Sequence, residues 1–170
     1  PTFTESGVSC SGPSETFTIT INPTSQVNLI ENQVLCNGED TAVITFTTDN
    51  TSGTTTYSWE NDTPSIGLAA TGSGDIASFT AVNNGTSPVT ATIVVTPTYT
   101  NEGVSCDGPT ETFTIIVNPT AQVNDPVDQI ICNTETTSVT FTTENTGGTT
   151  TYAWTNDTPS IGLADIGTGN

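Results

Sequence analysis

The 170 residues contain no Lys, no Arg, no His and no Met. Eighteen carboxylates therefore stand without a side-chain cation, for a net charge of −18. Reading phosphates needs Lys and Arg, so a nucleic-acid partner is not expected. Anionic lipid would be repelled for the same reason. Apolar runs are only a few residues long, far short of the ~20 that a helix needs to cross a bilayer, so membrane insertion is not expected either. Without His, Lys or Arg, and with no G-x-S-x-G elbow, the paired-carboxylate chemistry of glycosidases lacks supporting groups. The chain is read as a non-enzyme. Aromatic residues are also scarce, at 6%, which would suit disorder unless the apolar residues are patterned.

They are patterned. Threonine, present 40 times, alternates with apolar residues at a period of two. Phe113, Ile115 and Val117 fall on one face of 111–118, and Phe17, Ile19 and Ile21 on one face of 16–22. Ile44 and Phe46 do so in 42–48, and Tyr57 and Trp59 in 54–60. Further strands are expected at 26–30, 33–36, 66–69, 76–82 and 89–98. Turn clusters such as Asn37-Gly38, Ser52-Gly53 and Asn83-Asn84-Gly85 separate them. β-branched Thr suits an extended backbone and keeps an outer face wet without adding charge. Eight or nine short strands without a helical stretch indicate an all-β antiparallel sandwich of the immunoglobulin-like kind.

A long repeat organises the chain. Cys10 and Cys106 are 96 residues apart, as are Cys36 and Cys132. Residues 54–69 return as 149–164 with two changes. A period of ~95 residues exceeds a solenoid unit and matches tandem small domains. Asn22-Pro23-Thr24 and Asn118-Pro119-Thr120 are the expected joints, because proline removes a ladder donor. The expectation is a preceding repeat's last strands at 1–23, a complete repeat at 24–119 and the first part of another at 120–170. Pro1-Thr2-Phe3-Thr4 reads as the tail of a strand, so a longer polypeptide is expected.

The four cysteines lack the close spacing of a zinc site, and a composition that looks extracellular favours disulfides. The favoured pairing is Cys36–Cys106 within the complete repeat, with Cys10 and Cys132 pairing elsewhere. The rival is Cys10–Cys36 with Cys106–Cys132, and free thiols are the third option. Loop entropy, about 4.4 kcal/mol for the longer closure and about 3.5 for the shorter, does not separate the first two.

Hard oxygen ligands make calcium the only candidate ion. Its candidate ligands are Asp62 and Asp157 after the tryptophans, with Glu31, Glu39, Asp40 and Glu102 near the joints. Solvated turns are the competing reading. Trp59 and Trp154 would stack on sugar in a glycan-binding module. A tryptophan on the third strand of a sandwich core is the stronger reading.

The pattern Tyr57-x-Trp59-x-Asn61-Asp62-x-Pro64-Ser65-Ile66-Gly67-Leu68-Ala69, then Gly72-x-Gly74-x-Ile76-Ala77-x-Phe79-x-Ala81 and Phe113 to Pro119, resembles the PKD-like repeats of Bacteroidota surface proteins. It is most similar to those of the giant gliding-motility adhesins of the SprB type. The resemblance implies a cell-surface protein exported by the type 9 route, with a role in adhesion and gliding. Its partners would be neighbouring repeats of the same chain, surface polysaccharide or other adhesin chains. The resemblance also implies O-glycosylation, with Thr41 of Asp40-Thr41-Ala42 as the acceptor. The expected role is a stalk. The alternatives are a self-assembling fibre or sheath subunit and a glycan-binding module.

Overall fold

The computed structural model describes residues 1–169; residue 170, the last of the expected third segment, lies outside them. The protein is all-β, with strands β1 (Thr2–Glu5), β2 (Val8–Ser11), β3 (Gln33–Cys36), β4 (Thr54–Asn61), β5 (Thr71–Ser73), β6 (Val89–Asn101), β7 (Val104–Asp107), β8 (Glu111–Asn118), β9 (Ala153–Thr155) and β10 (Ile166–Thr168). The hairpins β1–β2 and β9–β10 stand apart. Between them one sheet runs β3-β8-β6-β4-β5, with β7 folded back on the far half of β6.

Inward positions follow the period of two. In β8, Phe113, Ile115 and Val117 are fully buried, and in β6 so are Ala91, Ile93 and Val95. Thr92, Thr112 and Thr114 take the alternate positions. Facing this sheet is a second layer of extended chain that supplies Ile44, Phe46, Ile76 and Ala81 to the same core. Trp59, Ile66 and Leu68 complete it. Every member of this buried cluster lies between Ile44 and Val117.

The second layer departs from the expected strands. Over 42–48 and 76–82 only the bridges Asp40↔Thr80 and Ile44↔Ile76 form. Side chains take backbone partners there. The Phe79 N–H donates to Thr41 Oγ1, the Ala42 N–H to Gln33 Oε1, and the Phe46 N–H to Asp75 Oδ1. Local side-chain bonds of this kind compete with a ladder. The expected strand at 66–69 is instead the end of a 3-10 turn, Pro64–Ile66, which Gly67 closes in the left-handed region at φ 101°.

Two other expectations need correction. The sheet is not wholly antiparallel: β3 pairs with β8 in parallel, with Cys36 opposite Asn118. The chain crosses from the second layer to the first between 28 and 33, and Asn32 Oδ1 accepts the Thr114 N–H as it arrives. Residues 16–22 alternate as a strand should but join no ladder. Phe17, Ile19 and Ile21 are 85%, 78% and 87% exposed, whereas Phe113, Ile115 and Val117, 96 residues on, are at most 1% exposed. The difference is the neighbours: β8 lies between β3 and β6, and 16–22 has neither.

Candidate functional site

The most built surfaces outside the core are the two joints. At the second, the Asn37 side-chain amide donates to Thr120 Oγ1 at 3.0 Å. Across it, the Thr146 N–H donates to the Thr86 carbonyl at 2.8 Å, and Asn145 Nδ2 reaches the same oxygen at 3.4 Å. Gly147, at φ +75°, lies against Pro88, where an added Cβ would come within 2.9 Å of the proline ring. At the first joint, Asn22 Nδ2 donates to the Val104 carbonyl and Asn22 Oδ1 accepts from Asn101 Nδ2.

The segments that follow the two prolines, 24–26 and 120–122, are tied alike. The Gln26 N–H donates to Asn50 Oδ1, and Asn50 Nδ2 donates to the Thr24 carbonyl. Gln122, Asn145 and Thr120 make the same two bonds. Asn50 and Asn145 were not singled out in the sequence; their recurrence 95 residues apart is the signal that could have found them.

The carboxylates brace turns. Asp62 Oδ1 accepts from the Thr92 N–H and the Thr63 hydroxyl, each at 2.8 Å. These bonds, the Thr92 N–H foremost, hold its carboxyl below the ordinary value because they favour the charged form. Asp157 accepts from the Thr158 hydroxyl. Glu39 caps the Cys36 N–H at 2.8 Å, and Glu135 caps Cys132 identically. Asp40 accepts from the Thr80 hydroxyl at 2.6 Å. Glu102 sits at the β6–β7 turn with φ 47°. Among the described residues, no three carboxylates or cysteines gather as an ion would require. Glu39 and Asp40 share one turn, and Asp62, Asp157 and Glu102 lie on three others.

Trp59 is 7% exposed, and its indole N–H donates to the Gly74 carbonyl at 3.1 Å. It is a core residue in this fold. Trp154 is half-buried over Gly167. Asn61, part of the recurring Trp-x-Asn-Asp pattern, organises the turn after Trp59. Its amide donates to the Leu68 and Ala69 carbonyls while its oxygen accepts the Thr63 N–H. Asn156 repeats two of the three bonds.

Thr41 is 3% exposed and its hydroxyl oxygen is engaged by Phe79. Once folded, the expected glycosylation position is therefore an interior residue of the second layer.

The disulfide expectation is corrected too. All four thiols are unpaired, and the ladders show why. Cys36 stands opposite Asn118, next to the Val117–Val89 pair, while Cys106 stands opposite Tyr99. Val89 and Tyr99 are ten steps apart on β6, about 33 Å of strand at ~3.3 Å per residue. A disulfide needs Cα atoms about 4.4–6.8 Å apart. The same separation rules out the rival, since Cys106 lies at the first joint while Cys132 lies beyond the second.

No family model, no curated protein and no solved structure matches this chain. Among the described residues, no helix is long and apolar enough to cross a membrane.

Proposed function

We propose that this chain is a stalk segment: immunoglobulin-like β-sandwich repeats strung end to end in a secreted cell-surface adhesin of the gliding-motility kind. The observation that carries the reading is the joint. The two bonds that tie Asn50 to Thr24 and Gln26 recur at Asn145, Thr120 and Gln122. Backbone and side-chain bonds then cross from Thr86 to Asn145 and Thr146. A short proline-containing connection with such bonds makes a semi-rigid line rather than a loose tether.

Charge and shape support the same role. Eighteen carboxylates without cations disfavour lateral packing through self-repulsion. The longest strand, β6, runs from the second joint toward the first, with Val89 near Asn118 and Asn101 bonded to Asn22. One repeat therefore advances the line by the ~40 Å that the twelve steps of this 13-residue strand span. Apolar faces such as Phe17-Ile19-Ile21 are the kind that the rest of a repeat would cover. The fibre alternative shares these domains and differs in lateral contacts.

Small-angle scattering with light scattering tests the proposal on the 170-residue chain. A monomer with a rod-shaped distance distribution well beyond ~40 Å is the expected result. A side-by-side multimer would favour the fibre, and turnover of any glycan substrate would overturn both.

A further inference from the structure

The two joints each display half of one interface, and superposing the halves brings two cysteines together. In the complete repeat, Cys36 stands opposite Asn118 in the β3–β8 ladder. The neighbouring Asn37 N–H donates to the Asn118 carbonyl, and its side chain reaches Thr120. Cys36 thus marks the end of its repeat that meets the next one. Cys106 marks the opposite end. It lies on β7, against the tail of the preceding repeat, and lines a groove with Thr20, Ile21 and Asn22. Asn22 is the residue 96 positions before Asn118. The position occupied by Asn22 and Asn118 is therefore flanked on one side by the Cys36 position of its own repeat. On the other side it meets the Cys106 position of the repeat that follows.

Both thiols reach the surface at their end of the repeat, Cys36 exposed and Cys106 half-buried on the Tyr99 side of the β6–β7 hairpin. In β3, Leu35 packs on the core while Val34 and Cys36 point out. In β8, Val117 is buried and Asn118 turns outward. By the same alternation Asn22 faces outward, and its amide is the group that meets the β6–β7 hairpin at Asn101 and Val104. Adjacent strands lie about 4.8 Å apart, which puts the Cys36 position within one strand spacing of the residue that Cys106 borders. Cys106 lines the groove that holds that same residue, so the two thiols share one joint; a disulfide there requires their Cα atoms to come within about 4.4–6.8 Å.

We propose that a disulfide staples successive repeats, from the Cys36 position of one to the Cys106 position of the next. This rests on the tandem-array reading above. It accounts for all four free thiols: in each case the partner belongs to a repeat position that these residues do not include. The direction is the reverse of a Cys10–Cys36 bridge. In forming the bond, two thiols lose two protons and two electrons to an external disulfide such as oxidised glutathione, which leaves as two thiols. Each joint of the stalk is then closed covalently, so a pulling load at the joint is carried by the bridge as well as by the single chain through the proline.

The test lengthens the chain by one further copy of residues 24–119, inserted after Pro119. The product has six cysteines but only one complete joint pair: Cys36 of the first copy and Cys106 of the second. After exposure to oxidised glutathione, denaturing maleimide labelling is expected to count four thiols instead of six. Combining Cys106→Ser in the first copy with Cys36→Ser in the second should preserve the bridge. The converse pair, Cys36→Ser in the first copy with Cys106→Ser in the second, should abolish it. Six remaining thiols in the oxidised protein, or a bridge that survives the converse pair, would overturn the proposal. Scattering of the reduced protein separates the two ideas, because a rod with no bridge defeats only the staple and a collapsed particle defeats the array itself.

Discussion

Replacing Gly72 by alanine should destabilise the complete repeat strongly for so small a change. Gly72 pairs with Trp59 across β4 and β5, and the indole lies flat over it. A Cβ at this position would be 2.1 Å from Trp59 Cζ2, 2.5 Å from Cε2 and 2.6 Å from Cη2. Carbon pairs prefer about 3.5–4.0 Å, so the ring or the strand must move by more than 1 Å. The ring is wedged in the core and its N–H is held by Gly74. β5 is the element that can yield, being a three-residue edge strand. Overpacking of this kind costs about 1–3 kcal/mol, and losing the indole bond about 0.5–1.5 kcal/mol. A total of about 2–3 kcal/mol corresponds to a fall in melting temperature of roughly 10–20 °C for a domain of this size. Thermal unfolding followed by circular dichroism reads it. Gly167→Ala is the control. There a Cβ would be 2.0 Å from Trp154 Cζ2, but the β9–β10 hairpin lies outside the buried cluster. The main transition should move by less than about 0.5 kcal/mol, as for changes outside the core. A Gly72→Ala shift that small, or equal shifts for the two variants, would refute the reasoning.

Ser25 carries a buried hydroxyl with no hydrogen-bond partner, and the next repeat has Ala121 in its place. Ser25→Ala is therefore expected to be neutral or to stabilise by up to about 1 kcal/mol; urea unfolding that shows a loss beyond 1 kcal/mol would contradict this. Asp62 is held below the ordinary carboxylate pKa by the Thr92 N–H, so its contribution is present above pH ~4 and is lost as the pH falls through its folded value. The melting-temperature advantage of the native chain over Asp62→Asn should shrink below pH ~4, and an advantage constant from pH 7 to pH 2.5 would count against it. Added NaCl should raise the melting temperature, because screening shortens the reach of repulsion among 18 carboxylates from about 10 Å at 0.1 M to about 3 Å at 1 M. A fall over that range would mean that repulsion is not what limits stability.

Much of the fold was legible from alternation alone. In β4 and β8 a period of two named the inward residues, because one strand face must leave water and the other must not. The repeat was legible because Cys, Trp and the 54–69 stretch recur at nearly constant spacing. Where side chains replace backbone partners, alternation said too much. The Thr41, Gln33 and Asp75 bonds break the second layer into bridges, and Pro64 with Gly67 turns an expected strand into a 3-10 turn.

The amino-acid sequence by itself determined what is local or additive: the all-β character, the uncompensated negative charge, the period of the sequence repeat and the inward face of β4 and β8. Only the tertiary structure decided what depends on which strands become neighbours. The parallel β3–β8 pair sends Cys36 to one end of the repeat, and the β6–β7 hairpin sends Cys106 to the other. Thr41 is buried because its hydroxyl bonds Phe79, 38 residues away. Composition and spacing carry no record of strand order or of distance along a shared ladder, and those two quantities settle which cysteines, carboxylates and hydroxyls can meet.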